Sequence, residues 1–407
     1  MVIGLLSNNH NGEEMTEYKM SFWNYQKIGT KDFKLAIQDW KKIGFNYPIS
    51  FRYDSTVSDK NLMLEFLDEC KKNDLKVFLD DVRLYFWNYI NKGENAYRNN
   101  VKQVVDDFGR HPAVYGFLIG DEPNREHMEN VIPKVFDILY EEAPDLHHYL
   151  NLLPYWGEKD ESFFQKFNIQ KRDEYIEIIS NMVKQAQCRS VSYDYYGQCC
   201  YFDREYYKDI VFHNLRMYGQ IAQENQIELF SCPLSVGHMS TRIPNEDEIR
   251  WQISIMAAHG VTGFFWFFLY QGNYSSDFRG APYDEYGEQT ETYNFLKRQI
   301  RTFMDNHVKI LSKYKFLWAK HLNKCYGGIE EFEGDTELIS VKTEINHAPL
   351  IISKFVNEEE TLYAITNNSV EAPTYVEIKW GGKWGDGKIK WWIAPGQMRL
   401  ISNKCML

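Results

Sequence analysis

The chain has 407 residues, of which 44% are hydrophobic, 25% charged and 16% aromatic, and its formal net charge is −11. That length suits a large α/β barrel with a small appendage, and the composition is that of a folded globular protein. The acidic balance without a basic run speaks against nucleic acid as a partner, and no apolar run reaches the ~18 residues of a membrane span. Seven cysteines lie scattered without a CxxC pair, so they read as free thiols rather than a disulfide framework or a zinc site. The opening MVIGLLSNNHNGEE has no basic region and too short an apolar run for a signal peptide. It points to the cytoplasm, or to export if a leader precedes it.

Taken in order, Val2–Ser7 is a plausible first strand, followed by an Asn- and Glu-rich loop bearing a tryptophan. Residues 32–43 carry helical periodicity through Phe33, Ile37 and Trp40, and Gly44 closes them. Residues 45–53 read as a second strand ending in Arg52, Tyr53 and Asp54, and residues 59–72 as an amphipathic helix. LKVFLDD (75–81) is a third strand ending in two aspartates, with a helix over 96–108 behind it. VYGFLIGDEPN (114–124) is the fourth: an apolar run, a glycine, then two adjacent carboxylates stopped by a proline. The alternation continues with a helix over 125–142 interrupted at Pro133, a strand over 147–153 and a helix over 172–187. SVSYDY (190–195) is the sixth strand, residues 204–225 a helix, and residues 227–236 the seventh strand. A capped helix over 245–259, an eighth strand over 261–270 and a closing helix over 290–311 complete the series.

Repeated strand-then-helix units predict a closed (β/α)₈ TIM barrel within the α/β class. An open doubly wound sheet would want a Gly-rich phosphate turn after its first strand, and GLLSNN is not one. From Lys313 the pattern shifts to short alternating runs separated by Asn367-Asn368, Gly381-Gly382 and Pro395-Gly396. The expected division is a barrel over 1–312 and a small antiparallel β-sandwich over 313–407.

Barrel sites lie at the C-terminal ends of the strands, so the strand ends form the candidate list. They carry Arg52 and Asp54, Asp80 and Asp81, Asp121 and Glu122, and Asn151 with Tyr155 and Trp156. Later strands add Tyr193, Asp194 and Tyr196, then His238 and Arg242, then Trp266, Tyr270 and Gln271. Acidic groups flanked by Trp and Tyr suit a sugar held by stacking while carboxylates act on its glycosidic bond. Arg52 stands out, because an arginine at a strand end is costly unless it meets a carboxylate or a substrate oxygen. His238 reads either as a ligand for a sugar hydroxyl or as a solvent-facing ring, Trp266 as a pocket floor or one more core aromatic, and Cys232 as packing. No His/Asp ligand cluster recurs, so the reading carries no metal and no organic cofactor.

YGFLIGDEPN resembles the YG-x-x-x-GDEP stretch of bacterial barrels related to the family 42 β-galactosidases, within the clan A glycoside hydrolases. SYDYYG, TRIPNEDEIRWQISIMAAHGVTGFFWFFLY, YDEYGEQTETYNFLKRQI, LYAITNNS and IAPGQMRLI resemble further stretches of the same group, in the same order. The resemblance implies a glycosidase acting on a carbohydrate, with Glu122 as general acid/base and with self-association of the kind many such barrels show. A carboxylic acid in that role must be held protonated, and the apolar strand and the charge of Asp121 are expected to raise its pKa. Asp121 stands where the clan has an Asn that binds a sugar hydroxyl.

The clan also places a nucleophilic Glu at the end of strand seven, and SCPLSVGH has none there; Glu228 lies at the other end of that strand. Asp194 is the favoured second carboxylate, as nucleophile or as the base of an inverting attack. Asp80, Asp81 or the Asp277–Glu288 loop are the other sources. If none serves, a catalytically silent sugar-binding barrel is the remaining reading. Arg52, Asp81, Asp121, Tyr155, Trp156, Tyr193, Tyr196, His238, Trp266 and Tyr270 are the expected substrate contacts around Glu122 and Asp194.

Overall fold

The computed structural model describes residues 15–272, 277–344, 347–404 and 406. Val2–Ser7, expected as the first strand, lies outside them. Seven parallel strands form one curled sheet: β1 (Lys19–Phe22), β2 (Val77–Leu79), β3 (Val114–Asp121), β4 (His147–Leu152), β5 (Ser190–Asp194), β6 (Glu228–Cys232) and β7 (Val261–Trp266). Their order in the sheet is β1-β7-β6-β5-β4-β3-β2. Residues 45–53 fill the remaining gap between β2 and β1. Tyr47 N bonds Met20 O at 3.1 Å on one side, and Phe78 N bonds Pro48 O at 3.0 Å on the other. Pro48 has no N–H to give to a ladder, so this stave is bridged at single points rather than paired along its length. The result is a (β/α)₈ barrel in which KMSF is the first regular strand among the described residues.

Helices wrap the sheet, among them Phe33–Ile43, Lys60–Lys72, Arg172–Gln185, Arg204–Asn225 and Glu246–Ala258. The helix expected over 125–142 is two helices, Arg125–Asn130 and Ile132–Glu142, with Pro133 in the first turn of the second, where its missing N–H costs nothing. A short helix, Glu161–Phe167, capped by Asp160, was not anticipated.

Alternation along each strand separates two cores. Phe78, Leu118, Tyr149, Phe230, Cys232 and Phe265 turn into the barrel, where the rings of Tyr149 and Phe265 stack 4.1 Å apart. Phe117, Leu150, Val191, Leu229 and Trp266 turn outward onto the helices. The base of the barrel is closed by Lys19, whose Nζ meets Glu228 Oε1 at 2.6 Å beneath the rings of Tyr47, Tyr115 and Phe230. Glu228 therefore belongs to the end opposite the strand C-termini.

The C-terminal part is a β-sandwich. β8 (Lys315–Leu322), β10 (Leu350–Val356), β11 (Thr361–Asn367) and β14 (Met398–Ile401) form one antiparallel sheet; β9 (Leu338–Thr343), β12 (Thr374–Trp380) and β13 (Gly387–Ile393) form the other. Ile351, Phe355, Leu362 and Leu400 pack into the same buried cluster as Trp251 and Ile255 of the barrel. Trp251 Nε1 donates to Asn368 Oδ1 at 2.9 Å across this junction.

Candidate active site

The site forms around Asn151, near the end of β4. Its Nδ2 donates to Asp121 Oδ1 at 3.0 Å and to Asp194 Oδ1 at 2.9 Å, so one amide bridges the ends of β3 and β5. Its Oδ1 accepts from Ser192 Oγ at 2.9 Å and from the Cys232 thiol at 3.5 Å. Those two donors fix which way the amide points, because a flipped amide would set its oxygen against two carboxylates. Two hydrogens splayed by roughly 120° hold the accepting oxygens on the order of 5 Å apart. Behind them, Tyr149 OH lies 3.1 Å from Ser192 Oγ, and Trp23 Nε1 donates to Cys232 Sγ at 3.4 Å. This network is satisfied throughout.

Glu122 follows directly and sits at φ +46, a left-handed conformation that a glutamate seldom adopts. Its N–H donates to Asn151 O at 3.0 Å, which holds the turn in place, and Pro123 keeps it from winding into a helix. Gly120, at φ +149, lets the chain pass Phe86; a Cβ there would stand 2.6 Å from that ring.

Asp121 and Glu122 are exposed at the mouth and Asp194 is half-buried, yet protein crowds all three closely enough to strip part of their hydration. Desolvation comes first in lifting each of them. Asp121 is pushed up to about 8, with the charge of Asp194 and then of Glu122 adding to burial. Glu122 is raised to about 7 by burial and then by Asp194, while Lys166 pulls it back. Asp194 is raised by burial alone, and hydrogen bonds from Asn151, Tyr196 and a backbone N–H oppose the rise. The charge of Asp194 lifts both neighbours. Asp194 adds to the rise of Glu122, while the repulsion between Asp121 and Glu122 that the sequence suggests acts on Asp121.

Aromatic rings line the opening. Tyr196 stacks on Phe267 at 5.6 Å, and Tyr25 meets Phe268 edge-on at 5.8 Å. Tyr25 and Tyr196 both feel the charges of Asp121 and Asp194. Arg52 enters from the 45–53 stave and bonds Asp80 Oδ2 at 3.1 Å, and Tyr85 OH donates to the other oxygen of Asp80. That guanidinium lies 5.9 Å from the Tyr25 ring, so it borders the same opening.

The predicted residues divide by strand parity. Glu122, Asp194, Arg52, Asp121 and Tyr196 come together at the mouth. Asp81, one residue past Asp80, turns the other way: it is fully buried and bound by Arg83, whose Nη1 also reaches Asp107 at 2.8 Å. Tyr193 stacks on Tyr218 at 4.3 Å in the helix layer. Trp266 is buried there too, with its Nε1 on Met20 Sδ, so it does not floor the pocket; the next residue, Phe267, faces the mouth. Tyr155 packs against Phe163, and Tyr270 accepts a 2.7 Å bond from Trp40 Nε1; neither faces the carboxylates. Trp156 stands half-exposed at the rim. His238 stacks on Phe278 at 4.6 Å, farther along the rim, and burial lowers its pKa. Tyr25, Trp23 and Tyr85 fall outside the strand-end list, because the sequence reads the first two as loop and Tyr85 follows a strand end by several residues. Among the described residues no group of three His, Cys, Asp or Glu could hold a metal ion, and no helix is long and apolar enough to cross a membrane.

No family model matches this sequence, and no curated protein matches it. Solved structures do share its architecture. A glycoside hydrolase family 5 protein from Bacteroides vulgatus ATCC 8482 matches with a TM-score of 0.57 at 8% identity, over 95% of this chain and 88% of that one. The fold is one that glycoside hydrolases use. An endo-β-1,4-mannanase from Thermotoga petrophila matches at TM-score 0.51 and 10% identity over 94% and 98% of the two chains. A β-galactosidase from the psychrophilic Marinomonas ef1 matches at 0.52 and 12%, over 70% of this chain and 59% of that one. At such identities the likeness is one of fold.

Proposed function

We propose that this protein is a glycoside hydrolase that cleaves a glycosidic bond in an oligosaccharide or polysaccharide by carboxylate acid/base catalysis. The observation that carries the reading is the trio of carboxylates gathered at the barrel mouth, two of them bridged by the Asn151 amide. Glu122, raised to about 7, keeps its proton near neutrality and gives it to the oxygen of the departing sugar as the bond to the anomeric carbon breaks. Asp194 is the anion. It either attacks that carbon or takes a proton from a water that does, and the separation of the two carboxyl groups in a sugar complex decides between retention and inversion. Asp121, protonated up to about 8, donates its hydrogen to a sugar hydroxyl from the place where an Asn would otherwise stand. Rings of Tyr25, Tyr196 and Phe267 supply the stacking surface. Glycosidase folds among the solved structures support the same reading.

Replacing Glu122 by Gln is expected to lower turnover of an aryl glycoside by about 10²–10⁴-fold while calorimetry still records binding. Undiminished turnover in that variant overturns the assignment. A binding-only barrel is the second reading, favoured by Cys232, which occupies the end of β6 where a carboxylate nucleophile is absent. It predicts saturable binding with no sugar released by the unaltered protein.

A further inference from the structure

Where the barrel meets the sandwich, a cavity of about 390 Å³ opens between the start of the helix Arg204–Asn225 and the loops that follow β8 and β11. None of the three mouth carboxylates lines it. Lys208 does, and it is held in place: its Nζ donates to Asn368 O at 2.5 Å and lies 4.8 Å and 5.6 Å from the ring centres of Tyr326 and Trp251. An ammonium has three N–H groups, so one acceptor leaves two of them unspent. The carboxylates of the lining are already taken. Glu205 is met by Lys324 and by Tyr326 OH at 3.1 Å, and Glu371 by Arg204 at 3.4 Å. With Arg204, Lys208 and Lys324 against Glu205 and Glu371, the cavity keeps one positive charge in excess. Burial lowers the pKa of Lys208 to about 8 against the pull of Glu205, as befits an ammonium short of a counter-charge.

Two amides of the wall have donors to spare as well. Asn368 is fully buried, and its Oδ1 accepts from Trp251 Nε1 at 2.9 Å, which fixes the amide and leaves Nδ2 without an acceptor. Gln198, 7% exposed on the turn Gly197–Cys199, has its Nε2 in the same state. A buried donor seldom goes without a partner. Water would serve the amides, but only an anion also answers the charge. The volume falls within the roughly 300–1,000 Å³ of small-molecule sites, more than a bare ion fills.

We propose that this cavity binds the phosphate or carboxylate head of a small organic molecule, held by Lys208 with Asn368 and Gln198, and that the bound anion ties the sandwich to the barrel. The site stands apart from the glycosidase reading and does not depend on it. Inorganic phosphate and citrate are titrated separately into the whole protein, against sodium chloride of equal ionic strength, while the melting temperature is followed. At least one is expected to raise Tm saturably by about 2–4 °C, phosphate marking a phosphate head and citrate a carboxylate. Lys208→Met keeps an apolar stem over the rings, and Asn368→Asp keeps the acceptor for Trp251 Nε1 but sets an oxygen where Nδ2 stands. Each is expected to abolish the rise. A rise that is linear rather than saturable, one that persists in either variant, or none with either probe overturns the site. Should neither variant fold, acetylation of the unaltered protein decides. At about ten times its Kd the effective probe then slows reaction at Lys208 about ten-fold and leaves the exposed Lys34 unchanged. Equal rates at Lys208 with and without the probe overturn the site.

Discussion

Asn151 gives both of its N–H groups to carboxylates and favours the charged form of each. Without it, Asp194 loses a hydrogen bond that favours its charged form, so its pKa rises. Asn151→Ala is therefore expected to shift the acid limb of the kcat/KM profile upward, and an unmoved limb would count against Asp194 as the working anion. Asp121 has a stability consequence with a defined sign. Unfolded, it ionises near 3.8; folded, it holds its proton until about 8. Across that window the folded state binds more protons, so stability is greatest below it and falls as pH rises through it. Asp121→Asn should raise Tm at about pH 8 and leave it nearly unchanged at about pH 4 in thermal melts. The individual acids of this site were legible in the sequence, but their bridging was not, because Asn151 connects residues from three strands. Parity was also hidden: Asp80 and Asp81, or Trp266 and Phe267, are adjacent in sequence and opposite in space, and a shift of one residue exchanges them.

At the scale of elements, the strand leading to the carboxylates depends on one close approach. A methyl group at Gly120 meets the buried Phe86 ring in a backbone conformation that other residues resist. Gly120→Ala is expected to cost about 1–3 kcal/mol, read from the urea midpoint, and to disturb turnover as well because the next residues are Asp121 and Glu122. Most helices were readable, since their apolar faces recur at the right period and caps such as Asp32 and Asn245 mark their starts. β1 was not. KMSF is short, and its lysine points into the barrel, where it is tolerated only because Glu228 meets it from another strand. Residues 45–53 pose the opposite case: the apolar pattern is that of a strand, while Pro48 keeps the ladder from forming along it.

At the scale of the molecule, we propose residues 1–312 and 313–407 as the two parts of the chain, joined by a common apolar interface. Ile351, Phe355, Leu362 and Leu400 are buried among barrel residues, and Arg250 Nε adds a 2.8 Å bond to Pro395 O. Parts that share so much buried surface are expected to unfold together, so near-ultraviolet dichroism and tryptophan fluorescence should report one coincident melting transition. Two separated transitions would show the interface to be weaker than its packing implies. The ion pair between Lys19 and Glu228, ringed by Tyr47, Tyr115 and Phe230, closes the far end of the barrel. With that end filled, the carboxylates face outward from the C-terminal ends of the strands. On the glycosidase reading, a departing sugar leaves and its replacement water arrives by that same rim, so exchange there is the step that large glycans would slow.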